Sequence, residues 1–378
     1  MKKIRIGIIF GGKSSEKEVS LNSGRNIYNV MDRGRFEPIP LFMDAQAQFW
    51  KLPIQLVVQN TTEDIAARLA EAQRVRFEDL KTIIDLAFPI TFGSYGEDGC
   101  LQGLLTLLGI PYIGSDVLAA ALGQDKSMQR VLMAHQSTIN IPPYIVITST
   151  QIQSSPNLAE QIIALFGLPL VVKPARGGST IGVEIVDSTG QWGAAVSSAL
   201  QHDNRIVIEP WITGLEFSCV VMETANGPQA LQPTETVHQD RLFSYHEKYM
   251  PGAANKITPA RVSAARLQEV QHMCVDVFTT LGFKGYARID GFVLTKELSI
   301  QPSTSKIQDL KFYVPAPYPA ETILITDPNV YSGMAPSSWA FHQAAHEEWG
   351  PTEFMTKLIE TTNFKPETRN PKPETISK

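Results

Sequence analysis

From Ile4 to Phe10 the chain is an apolar run interrupted by Arg5 and ended by Gly11-Gly12, which predicts a buried strand entering a glycine turn. Val19 to Met31 then reads as a helix, Glu37 to Met43 as a strand, Thr62 to Ala72 as a helix and Thr82 to Phe88 as a strand. Strands alternating with helices predict a parallel α/β unit. It ends near residue 120. A second unit, 121–215, opens with a helix from Asp125 to His135. Strands follow at Tyr144 to Ile147 and Leu170 to Lys173, with the polar stretch TSTQIQSSPN as punctuation, and Arg205 to Glu209 closes the unit. The third unit, 216–362, has strands at Glu216 to Met222, Gly285 to Leu294 and Thr322 to Thr326. Its helix, Arg261 to Leu281, carries Val262, Val270, Cys274, Val277 and Leu281 near one face. Residues 296–321, including ELSIQPSTSKIQDLKFYVPAPYPAE, predict a long loop between the last two strands. The polar tail 363–378 repeats KPET and is expected to be disordered.

Composition narrows the class. The 378 residues are 43% hydrophobic and 19% charged, which fits a soluble α/β protein of two or three subdomains. A net charge of −5, with lysine and arginine dispersed, gives no footprint for nucleic acid or an anionic membrane. No apolar run approaches the roughly 18 residues a bilayer span needs. The basic opening MKKIRIGIIFGG is better explained by a first strand than by a signal peptide, so the expected location is the cytoplasm. The three cysteines, Cys100, Cys219 and Cys274, lack metal or disulfide spacing and read as buried thiols.

Two segments carry chemistry. In VVKPARGGSTIGV a strand delivers Lys173 to a glycine loop, an arrangement that lets backbone N–H groups approach phosphate while lysine adds a point charge. The GxxxxGK[ST] spacing is absent, so this is not a Walker loop. In ARID, Arg288 and Asp290 alternate on a strand and share a face; Asp327 and Asn329 do so in DPN. Two carboxylates and an amide oxygen suit Mg²⁺ bridging phosphates, and Arg288 could stabilise developing charge. Alone, each segment is more readily a glycine turn or a solvated strand end. YGEDGCLQG reads as a tight turn and helix cap, and EPWITGLEF, with Glu209 and Glu216, as a weak nucleotide-edge signal.

Together, GGKSSEKEVSLNSG, YGEDGCLQGLLTLLGIPYIGS, VVKPARGGSTIGV, HEKYMPG, ARIDGF and PNVYSGMAPSSWAFHQAA occur in an order that resembles D-alanine–D-alanine ligases from residue 4 to about 362. The resemblance implies an ATP-grasp fold in the second and third units and the joining of two D-alanines through a D-alanyl phosphate. It implies that Lys126 and Lys173 hold ATP phosphates, with Lys248 near the γ-phosphate. Glu209, Trp211 and Ile212 would line the adenine site and Glu216 would hold the ribose. Asp290, Asp327 and Asn329 would hold two Mg²⁺ or Mn²⁺ ions. Arg288 and the Gly333 backbone would form the oxyanion site. Glu16 would bind the first ammonium and Ser338 the second carboxylate, while Glu16, Ser179 and Tyr249 would close the lid. A homodimer is implied too. Phe92, where the family usually has histidine, Asp327, where it has glutamate, and the 296–321 excursion depart from the pattern. The alternatives are a ligase using D-lactate or D-serine, against which Tyr249 speaks, and a nucleotide-binding relative without ligase activity.

Overall fold

The computed structural model describes residues 3–178, 181–237, 255–300, 311–313 and 317–362, folded around three sheets. In the first, Ile6, Ile8, Ile9 and Phe10 of β1 (Ile4–Gly11) are fully buried, because β1 is flanked in parallel by β2 (Phe36–Met43) and β5 (Leu86–Pro89). A strand covered on both faces reads as a continuous apolar run. The unit is not purely parallel as expected: β3 (Phe49–Lys51) and β4 (Gln73–Val75) add antiparallel at the β2 edge. Asp44 closes the β2–β3 hairpin, its carboxylate accepting from the Gln46 and Gln48 backbone N–H groups and from Trp50 Nε1. The helix expected over Thr62–Ala72 breaks into an α-helix, Thr62–Ala66, and a separate 3₁₀ turn, Leu69–Glu71. The first two residues of the strand expected from Thr82 are helical, within Leu80–Ile83. Asp85 then grips the Arg5 backbone and guanidinium and sets where β5 begins.

The second sheet contains β6 (Tyr144–Thr148), β7 (Leu170–Pro174), β8 (Glu184–Val186) and β9 (Arg205–Pro210), all paired antiparallel. The polar stretch after β6 is a helix, Ser149–Ser154, started by a reciprocal cap between Thr148 and Gln151. The third sheet holds β10 (Gly214–Thr224), β11 (Gly227–Ala230), β12 (Thr234–Val237), β13 (Asn255–Ile257) and β14 (Tyr286–Leu294). The expected long helix runs Ala264–Thr280 and buries Val270, Cys274 and Val277 as the spacing required, with Val262 ahead of it. Of the cysteines, Cys219 and Cys274 are buried, but Cys100 is exposed.

The excursion is more than a loop. Its strand β15 (Lys311–Tyr313) leaves the third sheet and pairs antiparallel with β6 at the edge of the second. The Tyr313 ring stacks on Tyr144 at 5.9 Å, and the Tyr318 hydroxyl donates to the Ile141 carbonyl at 3.2 Å. The chain then returns as β16 (Ile323–Asn329) beside β14. The tail from 363 lies outside the described residues, and among those described no helix is long and apolar enough to cross a membrane.

Candidate active site

The second and third sheets, with Glu16, Phe92 and Glu97 of the first unit, surround a cavity of about 330 Å³. At its centre Lys173, at the end of β7, is buried, with Nζ 2.9 Å from Glu209 Oε2 on β9 and 3.6 Å from Asp327 Oδ2 on β16. Burial works against its ammonium, but Asp327 and Glu209 outweigh this and hold it above its ordinary range. Glu209 is also gripped by Arg130, a fully buried guanidinium that donates to the Ile325 carbonyl at 3.1 Å. The expected edge residues Trp211, Ile212 and Glu216 line the same cavity.

The glycine loop follows β7 directly. Gly177 has φ +127°, a conformation that favours glycine, and its carbonyl accepts from Lys126 Nζ at 2.6 Å. Gly178 sits against Glu16 so closely that a Cβ there would lie 2.9 Å from the carboxylate. Ser179, Lys248 and Tyr249 lie outside the described residues.

On the opposite wall β14 and β16 set Asp290 facing Asp327 and Arg288 facing Asn329, with a bulge between Asp290 and Gly291. Arg288 Nη2 lies 3.0 Å from Asp290 Oδ2, so the two side chains do share a face. Asp290 also accepts from Ser218 Oγ at 2.6 Å and Asn329 Nδ2 at 3.0 Å. Two carboxylates and an amide converging on one cavity make an all-oxygen donor set that fits a hard divalent cation, with phosphate and water completing its shell. Among the described residues no cluster of three or more histidine, cysteine or acidic groups offers a rival metal site. Gly333 lines the cavity, whereas Ser338 is buried just behind it.

Two residues were not expected from the sequence as site groups. Glu97 accepts from the Gly93 backbone N–H at 2.7 Å and from Gln124 Nε2 at 2.9 Å on the cavity wall. Burial, then the charge of Glu16, pushes its carboxyl up to about 8. Asp98, not Glu97, makes the turn by accepting from the Tyr95 and Cys100 N–H groups. The glycine spacing could have shown that one of two adjacent acids was spare. Phe92 is buried beside them in the cavity wall, its carbonyl accepting from Ser14 Oγ. The other unexpected residue is Arg130, an ordinary helix position in sequence.

Family comparison agrees with this architecture. The description "D-ala D-ala ligase N-terminus" matches residues 5–115 and "D-ala D-ala ligase C-terminus" matches residues 133–301, the second match ending inside the excursion. D-alanine–D-alanine ligase A of Escherichia coli K12 is 34% identical over 333 residues, covering 81% of this chain and 89% of that protein. The D-alanine–D-alanine ligase of Streptomyces griseus is 32% identical over 326 residues, covering 78% and 82%. The VanG D-Ala:D-Ser ligase structure from Enterococcus faecalis superposes with a TM-score of 0.78 at 25% identity, covering 96% of this chain and all of that one. The fold of the Coxiella burnetii D-alanine–D-alanine ligase matches with a TM-score of 0.74. On sequence across most of its length and on fold across nearly all of it, the chain belongs to the D-alanine–D-alanine ligase family.

Proposed function

We propose that this protein uses ATP to join two D-alanines into D-alanyl-D-alanine for cell-wall precursors. The observation that carries this is the convergence in one cavity of Lys173, the Arg288–Asp290 and Asp327–Asn329 pairs, and Glu16 beneath the glycine loop. The γ-phosphoryl group passes from ATP to the carboxylate of the first D-alanine, giving an acyl phosphate and ADP. The amine of the second D-alanine then attacks the acyl carbon, inorganic phosphate leaves, and the amine gives up a proton. Lys126 and Lys173 bind phosphate oxygens. Glu16 orients the first ammonium. Arg288 and the Gly333 N–H meet the oxygen on which charge develops. Asp290, Asp327 and Asn329 would hold Mg²⁺ or Mn²⁺, which when bound neutralises phosphate charge. The loop at Gly177–Gly178 excludes water that would hydrolyse the acyl phosphate. A cytoplasmic homodimer is part of the same reading.

Phosphate release with ATP and D-alanine, followed by product analysis, tests this. No D-alanine-stimulated release would overturn it. The likeness to a D-Ala:D-Ser ligase supports a second reading in which D-serine is the acceptor, and product analysis with D-serine present separates the two.

A further inference from the structure

Behind Gly333 the start of the helix Trp339–His346 gathers positive charge. Lys256 of β13 holds its ammonium 4.5 Å from the centroid of the Trp339 ring and donates to the Ser337 carbonyl at 2.6 Å. Arg288 faces the same ring at 5.0 Å, and that ring lines the cavity. His342, one turn along the helix, also lies in the field of Lys256. Among the described residues no carboxylate pairs with Lys256. The Ser338 hydroxyl, at 7% exposure, has no hydrogen-bond partner among them and does not cap the helix whose N-cap position it occupies.

Such a corner is complete only with an anion. Buried hydroxyls are usually hydrogen-bonded, and an ammonium has three donors, of which the Ser337 carbonyl takes one. Burial, then repulsion from Arg288, brings the Lys256 ammonium down to about 8, so an anion arriving here would relieve a cation that no carboxylate among the described residues compensates. The ligation proposed above supplies one. The first amino acid's carboxylate is consumed in the reaction, but the second's stays ionised inside a closed site and needs a counter-charge.

We propose that Lys256 is the counter-charge for the free carboxylate of the second amino acid, with the Ser338 hydroxyl as its neighbouring donor. The inference rests on the ligase reading and adds a residue that sets acceptor specificity. Lys256 acts on the acceptor alone, since the first amino acid has Glu16 for its ammonium and gives up its own carboxylate to the phosphoryl group.

The test compares wild type with Lys256→Met, which keeps the apolar stem against Trp339, and with Lys256→Arg. In Lys256→Met the acceptor KM for D-alanine should rise roughly ten- to hundredfold, the usual range for losing a hydrogen bond to a charged group. The KM values for ATP and for the first D-alanine should hold, and Lys256→Arg should recover most of the loss. D-alaninamide, which lacks the acceptor carboxylate, is the second probe. Wild type should prefer D-alanine to D-alaninamide as acceptor, and Lys256→Met should lose most of that preference. An unchanged preference in Lys256→Met would overturn the inference, even if overall turnover fell. Absence of D-alanine-stimulated phosphate release from the wild type would instead overturn the ligase reading, and this inference with it.

Discussion

Arg288 and Asp290 sit two residues apart on one strand, and each is the other's counter-ion. Replacing Arg288 with alanine should therefore act on the step in which charge develops, lowering kcat roughly a hundredfold or more while ATP affinity changes far less. Steady-state kinetics beside nucleotide titration checks this. Asp327 is one methylene shorter than glutamate, about 1.5 Å of reach, yet it faces Asp290 in register with Lys173 at 3.6 Å. Asp327→Glu should lower the Mg²⁺ concentration for half-maximal rate several-fold, and Mn²⁺ should serve wild type better than Mg²⁺, since Mg²⁺ tolerates displaced ligands poorly. A metal titration that did not move would show that the strand has adapted to aspartate. Glu97 gives a pH signature. Its folded value, about 8, lies above an unfolded value near 4.3, so its stabilising protonation is fully present below about pH 4 and is lost as pH rises to about 8. Glu97→Gln cannot ionise. Its stability relative to wild type should grow across that window, by on the order of 2 kcal/mol or more at the alkaline end, in urea unfolding at several pH values. Arg288, Asp290, Asp327 and Asn329 were legible in the sequence because strand alternation puts such pairs on one face, and Lys173 because it ends an apolar run just before a glycine loop. Glu97 and Arg130 were not, because what they do depends on residues 27 to 195 positions away that pack against them only in the fold: Gln124 flanks one, Glu209 and Ile325 hold the other.

Strand and helix spans were read well where a long apolar pattern dictated them, as in β1, β14 and the helix Ala264–Thr280. They were misread where three-residue strands or side-chain caps decided, as in β3, β15 and Ser149–Ser154. β15 is the instructive case. Nothing in a proline- and serine-rich stretch announces a strand, and only the open edge of β6 makes one. The glycine loop after β7 is the element most directly tied to turnover. In Gly178→Ala the new methyl would meet the Glu16 carboxylate at 2.9 Å, and the flexible end of that side chain would yield rather than the backbone. Thermal stability should therefore stay close to wild type. The KM for the first D-alanine should rise on the order of tenfold, because a small misplacement of an orienting group is costly. Calorimetry and initial rates on one preparation separate the two effects.

At the scale of the whole molecule the order of strands and helices announced an α/β chain in several units. It did not announce that one cavity would draw its walls from two sheets and from the segments that follow strands of the first. That convergence depends on contacts across hundreds of residues, beyond any local pattern. A pair of hydrogen bonds over 311 and 308 residues joins α1 (Lys17–Val30) to the loop that follows β16. Ser23 Oγ accepts from the Met334 N–H at 3.1 Å, and Asn26 Nδ2 donates to the Met334 carbonyl at 2.9 Å. Glu16 stands at the start of the same helix, and Gly333 immediately precedes Met334. One rigid rod therefore sets the distance between the site for the first ammonium and the N–H that meets the developing oxyanion. A polypeptide cut in the exposed segment Gln136–Thr138 should thus behave as two reagents rather than as a damaged enzyme. Residues 138–378 alone should be silent at any concentration. Mixed with 1–137 they should turn over at a rate that falls with dilution more steeply than in proportion to protein, as a bimolecular association law requires.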